Sequence, residues 1–136
     1  YTQMANALYG KFLEKVLSGS IDLTTQNIKL CLIDTGSYTV SINTHEFHSD
    51  LGGIIATSGN FASKTVTLGV FDAADVTLTA VSGAQSEALV IFRDTGSSAT
   101  SPLIAYIDTA TGLPVTPNSG DITIVWDNGA NKIFKV

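Results

Sequence analysis

The chain reads as mainly β, a β-sandwich or jelly-roll-like barrel with one N-terminal α-helix. Three observations predict it. Only one segment carries apolar residues at helical spacing, and it lies near the start. Short apolar or alternating runs fill the rest of the chain, separated by Gly, Ser, Asn and Asp. Charged residues make up only 14% of the chain against 44% hydrophobic ones, with 12 glycines, which suits a compact β-rich protein and not a disordered one. The 136 residues are material for a single domain, 1–136, large enough to bury a core.

The helix is expected over 7–18. Leu8, Tyr9, Phe12, Leu13, Val16 and Leu17 recur on one side, Lys11, Glu14 and Lys15 stand on the other, and Gly19 marks the stop. Strands are expected at 27–34, 54–57, 64–68, 76–81, 87–94, 103–108, 121–126 and 132–136, so the β-rich part spans 27–136. Between the last two, Asp127-Asn128-Gly129-Ala130 reads as a hairpin turn with Gly available for positive φ. Met4 reads as an initiator, which makes Tyr1 to Gln3 an added remnant or an extension of the reading frame.

Two kinds of strand are present. Lys64-Thr65-Val66-Thr67-Leu68 and Val76-Thr77-Leu78-Thr79 alternate, as strands with one buried and one wet face do. Leu30-Cys31-Leu32-Ile33, Ala88-Leu89-Val90-Ile91-Phe92 and Leu103-Ile104-Ala105-Tyr106-Ile107 are apolar on both faces and need cover on both sides. A helix of about three turns spans only ~18 Å. Either a partner subunit, or long loops and barrel closure, supplies the remainder; periodicity does not distinguish them.

Asp-Thr-Gly-Ser occurs twice, at Asp34 to Ser37 and at Asp94 to Ser97, each time after an apolar run. Aspartic proteases place such a loop on each side of a cleft, where two carboxylates share a proton. A pepsin-like chain needs two domain-sized lobes, more than one domain of ~100 to 150 residues supplies. The dimeric retroviral type needs one motif, but Ile54-Ile55 is followed by Ala56 where that family has Gly, and Arg93 precedes Asp94 where it has an apolar residue. The simpler expectation is a strand end at which Asp bonds back to its own backbone and Gly takes φ > 0. Ile107-Asp108-Thr109-Ala110-Thr111-Gly112 ends a third strand in a similar way, and the likeness is too short to establish a duplication.

Other chemistry is sparse. A net charge of −5 with seven scattered Lys and Arg argues against a nucleic-acid partner. Cys31 lies in an apolar run and reads as a small buried hydrophobe; as the single cysteine it has no intrachain disulfide partner. No apolar stretch reaches membrane-spanning length, and no signal peptide is visible. His45 and His48 are three apart, not the spacing of His-Glu-x-x-His, so 44–50 is expected to be a Thr-capped turn with solvated polar residues over a buried Phe47 or Leu51. Gly52-Gly53 and Ser58-Gly59-Asn60 are turn signals without a phosphate-binding continuation. Trp126 ends an alternating run and is expected to pack rather than to form a binding platform. No Ser/His/Asp triad, cofactor site or metal site is expected.

Met4-Ala5-Asn6-Ala7-Leu8-Tyr9-Gly10-Lys11, Thr44-His45-Glu46-Phe47, Phe71-Asp72-Ala73-Ala74-Asp75-Val76-Thr77, the segment from Leu103 to Asn118 and Trp126 to Phe134 resemble a family of small tailed-bacteriophage virion proteins, and the resemblance runs along nearly the whole chain. It implies a structural role in the virion, most often capsid decoration or cementing, with a neck, tail or fibre-associated role, host-glycan recognition included, as the alternative. It carries no catalytic residue onto this sequence. The partners implied are the major capsid protein or other virion proteins, together with further copies of the chain. The residues assigned to such contacts are Leu8, Phe12, Val16, Ile91, Tyr106 and Trp126.

Overall fold

In the computed structural model, which describes residues 6–136, the chain runs β1 (Ala7–Leu8), α1 (Gly10–Ser18), β2 (Ile28–Ile33), a 3-10 turn (His48–Asp50), β3 (Ile54–Thr57), β4 (Thr65–Thr67), β5 (Val70–Asp72), β6 (Val76–Leu78), β7 (Ala88–Arg93), β8 (Leu103–Ile107), β9 (Ile122–Ile124) and β10 (Phe134–Lys135). Met4 lies outside the described residues. The three runs that are apolar on both faces become neighbours, in an antiparallel sheet of order β1-β8-β7-β2-β3. The order β10-β5-β4 makes a second sheet and β6-β9 a third. The protein is thus mainly β, sandwich-like in its layering, with one helix near the N-terminus.

The register of the large sheet sorts its side chains. Leu30 stands opposite Ile91 and Leu32 opposite Leu89, so Ile28, Leu30 and Leu32 share one face with Leu89 and Ile91. The smaller sheets cover that face. Leu32 and Leu89 line one cavity of about 230 Å³ with Ile122, Ile124, Leu113 and Val115, and the Phe61 amide donates to the Ile28 carbonyl at 2.7 Å. A row of rings continues the layer: Trp126 packs on Phe61, Phe61 on Phe71, Phe71 on Phe134, and Phe134 edge-on against Phe12 of α1 at 5.7 Å.

Cys31, Val90 and Tyr106 lie side by side on the opposite face. There the link from β2 to β3, residues 34–53, folds flat over the sheet: Tyr38 packs on Tyr106, His48 on Phe92, and Val40, Ile42 and Leu51 fill between. The second cover, left open by periodicity, is therefore supplied within the chain by a long loop.

The helix starts at Gly10, not at residue 7. Ala7 and Leu8 pair with Tyr106 and Ala105, which satisfies the edge of β8, and the Tyr9 phenol is drawn inward to the Tyr38 hydroxyl at 2.9 Å. At the far end Gly19 takes φ 74° while its amide bonds to Val16 and that of Ser20 to Lys15, a Schellman stop. The expected hairpin at 127–130 is absent: β9 pairs with β6 and β10 with β5, so the intervening turn links two sheets. Gly129 does not take positive φ; Lys132 does, at 48°.

β5 was not expected. Its hairpin with β4 turns on Leu68-Gly69, with φ of 52° and 80°, in place of the Asn-Gly or Asp-Gly that announces such a turn. A bulky residue there costs roughly 1–2 kcal/mol of backbone strain. Gly69 is obligatory, since a Cβ would also lie 2.9 Å from the Val136 carbonyl oxygen.

Phe12 is completely buried and joins the helix to the ring row. Phe12→Ala is expected to cost ~3–5 kcal/mol, read as a drop in the denaturant midpoint at unchanged slope. An unchanged midpoint would contradict this docking of α1.

Candidate functional site

The two Asp-Thr-Gly-Ser loops do not meet. β2 and β7 are antiparallel with Ile33 opposite Ala88 and Ile28 opposite Arg93, so Asp34 leaves one end of the pair and Asp94 the other. Six residues of strand separate the ends by ~20 Å at about 3.4 Å per residue. No shared proton is possible at that distance within one chain. Each carboxylate instead caps its own turn, accepting from Gly36 or Gly96 at 2.9 Å. Gly96 takes positive φ (92°) and Gly36 does not, so only the second loop follows the expected backbone in full. The loops also have different surroundings. Thr35 donates through its amide and hydroxyl to Glu87, whereas Asp94 is paired with Lys29 at 2.8 Å. The Lys29 ammonium, then the Gly96 amide, holds the Asp94 carboxyl below its usual range.

The histidines belong to the cover, not to solvent. His45 Nδ1 lies 2.8 Å from the Tyr38 hydroxyl, which in turn lies 2.9 Å from that of Tyr9. The Ser41 amide also donates to Nδ1, at 3.3 Å, so this nitrogen is an acceptor. His48 packs its ring on Phe92, with Nε2 3.7 Å from Cys31 Sγ, and burial pushes its pKa below 6.5 although Asp94 acts the other way. The cap is Asp50, not Thr44: its carboxylate accepts from the amides of Glu46 and Phe47 at 2.8 and 3.1 Å. Those bonds lower the Asp50 pKa.

Cys31, His48 and Asp94 have the residue types of a nucleophile, base and orienter. The Cys31 thiol is wholly buried and pushed up to about 11 by that burial, so it stays protonated and packs as a small apolar group. Among the described residues no group of three or more His, Cys, Asp or Glu is arranged to hold a metal ion, and no helix is long and apolar enough to cross a membrane.

Of the six residues assigned to intermolecular contacts, Phe12, Ile91, Tyr106 and Trp126 are placed in the chain's own core. Ile91 lies mid-sheet beneath the smaller sheets, and Tyr106 lies under Tyr38. Trp126 donates its ring N–H to the Ala74 carbonyl. Leu8 and Val16 remain half-buried. The large aliphatic side chains that do face water are others: Leu13, Leu17, Ile54, Val66, Leu68, Val125 and Val136. Two of these, Val66 and Val136, stand with Phe12, Val16, Phe71 and Phe134 around an open groove of about 670 Å³ between α1 and the β10-β5-β4 sheet. Sequence reasoning missed this groove because it depends on β5, whose turn lacks the usual residues.

No protein-family model matches the chain, and no curated protein matches it.

Two predictions follow from the charged groups. Asp34→Asn retains the turn acceptor and is expected to change stability by less than ~0.5 kcal/mol, whereas Asp94→Asn also loses the Lys29 charge pair and is expected to cost about 0.5–1 kcal/mol more. Equal costs in urea denaturation would contradict the difference between the loops.

The second concerns pH. His48 is depressed in the folded state, so as pH falls below 6.5 the unfolded chain takes up its proton first and stability declines. Asp94 and Asp50 are depressed as well; their contribution is complete above 3.8 and is lost as pH falls through their folded values. Melting midpoints against pH are expected to fall in these two stages, and His48→Gln is expected to remove the first. A first stage that persists in this variant would exclude His48 as its source.

Proposed function

We propose that this chain is a structural protein of the tailed-bacteriophage virion that decorates the head, held non-covalently across seams between subunits of the major capsid protein. Copies assemble in the host cytoplasm, contact one another as a homo-oligomer or lattice, and remain with the virion. The resemblance along the chain supports the family, and the distribution of apolar groups supports the role. That distribution is the observation carrying the proposal: the polar and nucleophilic groups are occupied in holding the fold, while a groove and several aliphatic side chains are left to water. Such surface suits burial against another protein.

The same distribution weighs against a host-glycan module, which binds sugar faces on exposed rings. Among the described residues no aromatic side chain is exposed. A neck or tail position remains the alternative and differs in copy number. With many equivalent sites on a shell, small per-copy affinities sum by symmetry, and an acidic remainder of net charge −5 keeps dense arrays soluble.

Quantitative mass spectrometry of purified particles tests the position. Hundreds of copies per virion are expected; a dozen or fewer would place the protein at the neck or tail, and none would remove it from the virion.

A further inference from the structure

The tip of the β4–β5 hairpin carries a residue that neither the turn nor the core requires. With positive φ at both Leu68 and Gly69, the loop has the type I′ form, in which Asn or Asp suits the first position and Leu is strained. Burial gives nothing back, because Leu68 is 91% exposed. A strained apolar side chain held in water points to a contact made outside the chain.

A site for it lies alongside. The groove between α1 and the β10-β5-β4 sheet is lined by Phe12, Val16, Val66, Phe71, Phe134 and Val136, with Gly19 and residues 21–24 of the link after α1, Asp22 and Thr24 among them, along one side; Gly69, next to Leu68, forms part of its wall. Leu68 does not fold back into it, as its exposure shows. Knob and hole therefore share one surface, and a surface carrying both is complementary to itself under a two-fold rotation. We propose that two copies of this chain exchange hairpin tips, Leu68 of each entering the groove of the other.

The area suits a weak, transient contact. A standard interface draws about 800 Å² per partner from roughly 20–30 residues; at that rate Leu68 and the lining residues that keep exposed surface bury roughly 700–900 Å² in total, Phe12 and Phe71 being already buried. The inference rests on the homo-oligomer part of the proposed function and assigns it a surface; it does not require capsid binding.

The test is sedimentation velocity of the purified chain over a concentration series, with Leu68→Asn and Val66→Lys beside the wild type. Asn suits the type I′ turn, so Leu68→Asn is expected to keep or raise the melting midpoint while weakening self-association at least tenfold. Val66→Lys places a charge in the groove and is expected to do likewise to association. Mixing the two variants pairs an intact knob with an intact groove once per dimer, and partial recovery is expected. A wild type that stays monomeric at the highest attainable concentration overturns the proposal, as does a Leu68→Asn variant that associates like the wild type. Particle binding forms a separate arm. A monomeric wild type whose capsid binding is lost in Leu68→Asn would assign the knob to the capsid and overturn the second copy as its occupant. Association through Leu68 in a protein that does not bind particles would support the exchange and refute decoration.

Discussion

The need to cover β2, β7 and β8 on both faces governs the rest of the structure. Their buried side chains include Leu30, Cys31, Leu32, Val90, Ile91, Ile104 and Tyr106, so neither face of the sheet can meet water. Parallel sheets solve this with helices on both sides. Here the single short helix sits at the β8 edge and completes the ring row through Phe12. The covers are a pair of small sheets on one face and the loop 34–53 on the other. Backbone groups in such a loop must still be paired. The amides of His48 and Ser49 therefore bond to the carbonyls of Ser101 and Ser98, and the Glu46 carbonyl accepts from Leu103.

This constraint also explains where the residues with catalytic potential stand. His45 and Tyr38 anchor the cover through a buried hydroxyl chain with Tyr9. Burial raises both tyrosines, so these hydroxyls stay neutral and serve as hydrogen-bonding groups. His48 fills the space above Phe92 and Cys31, and Asp50 shapes the turn that aims both histidines at the sheet. A polar cover over an apolar sheet has to use its polar groups internally.

The sequence made some of this legible and concealed the rest for definite reasons. Long apolar runs announce central strands, and β2, β7 and β8 lie within a residue of their expected bounds. The Gly19 stop is equally plain, because a left-handed cap favours glycine. The helix start was obscured since Ala7 and Leu8 continue its apolar stripe, while an edge-strand role depends on Tyr106 and Ala105, about a hundred residues away. The terminal hairpin failed for the converse reason: Asp127-Asn128-Gly129 is a good local turn, but which strand pairs with β9 is decided by Val76 to Leu78. Four of the six residues assigned to contacts, Phe12, Ile91, Tyr106 and Trp126, fall in the core because large apolar side chains mark cores and interfaces alike, and only the fold separates them.

What remains at the surface has a consistent chemistry. Aromatic rings give the largest burial per residue, and among the described residues the interior has taken most of them, Phe47 and Phe134 being partly buried, which leaves branched aliphatics as the exposed apolar groups. A contact made of Leu and Val gains from area without directional hydrogen bonds, and its strength per copy stays modest. Such a contact holds poorly in dilute solution. On a surface that presents many equivalent sites at fixed spacing, each bound copy raises the effective concentration for its neighbours, and modest pairwise terms become sufficient. The proposed role in an array would draw on this division between a ring-rich core and an aliphatic rim.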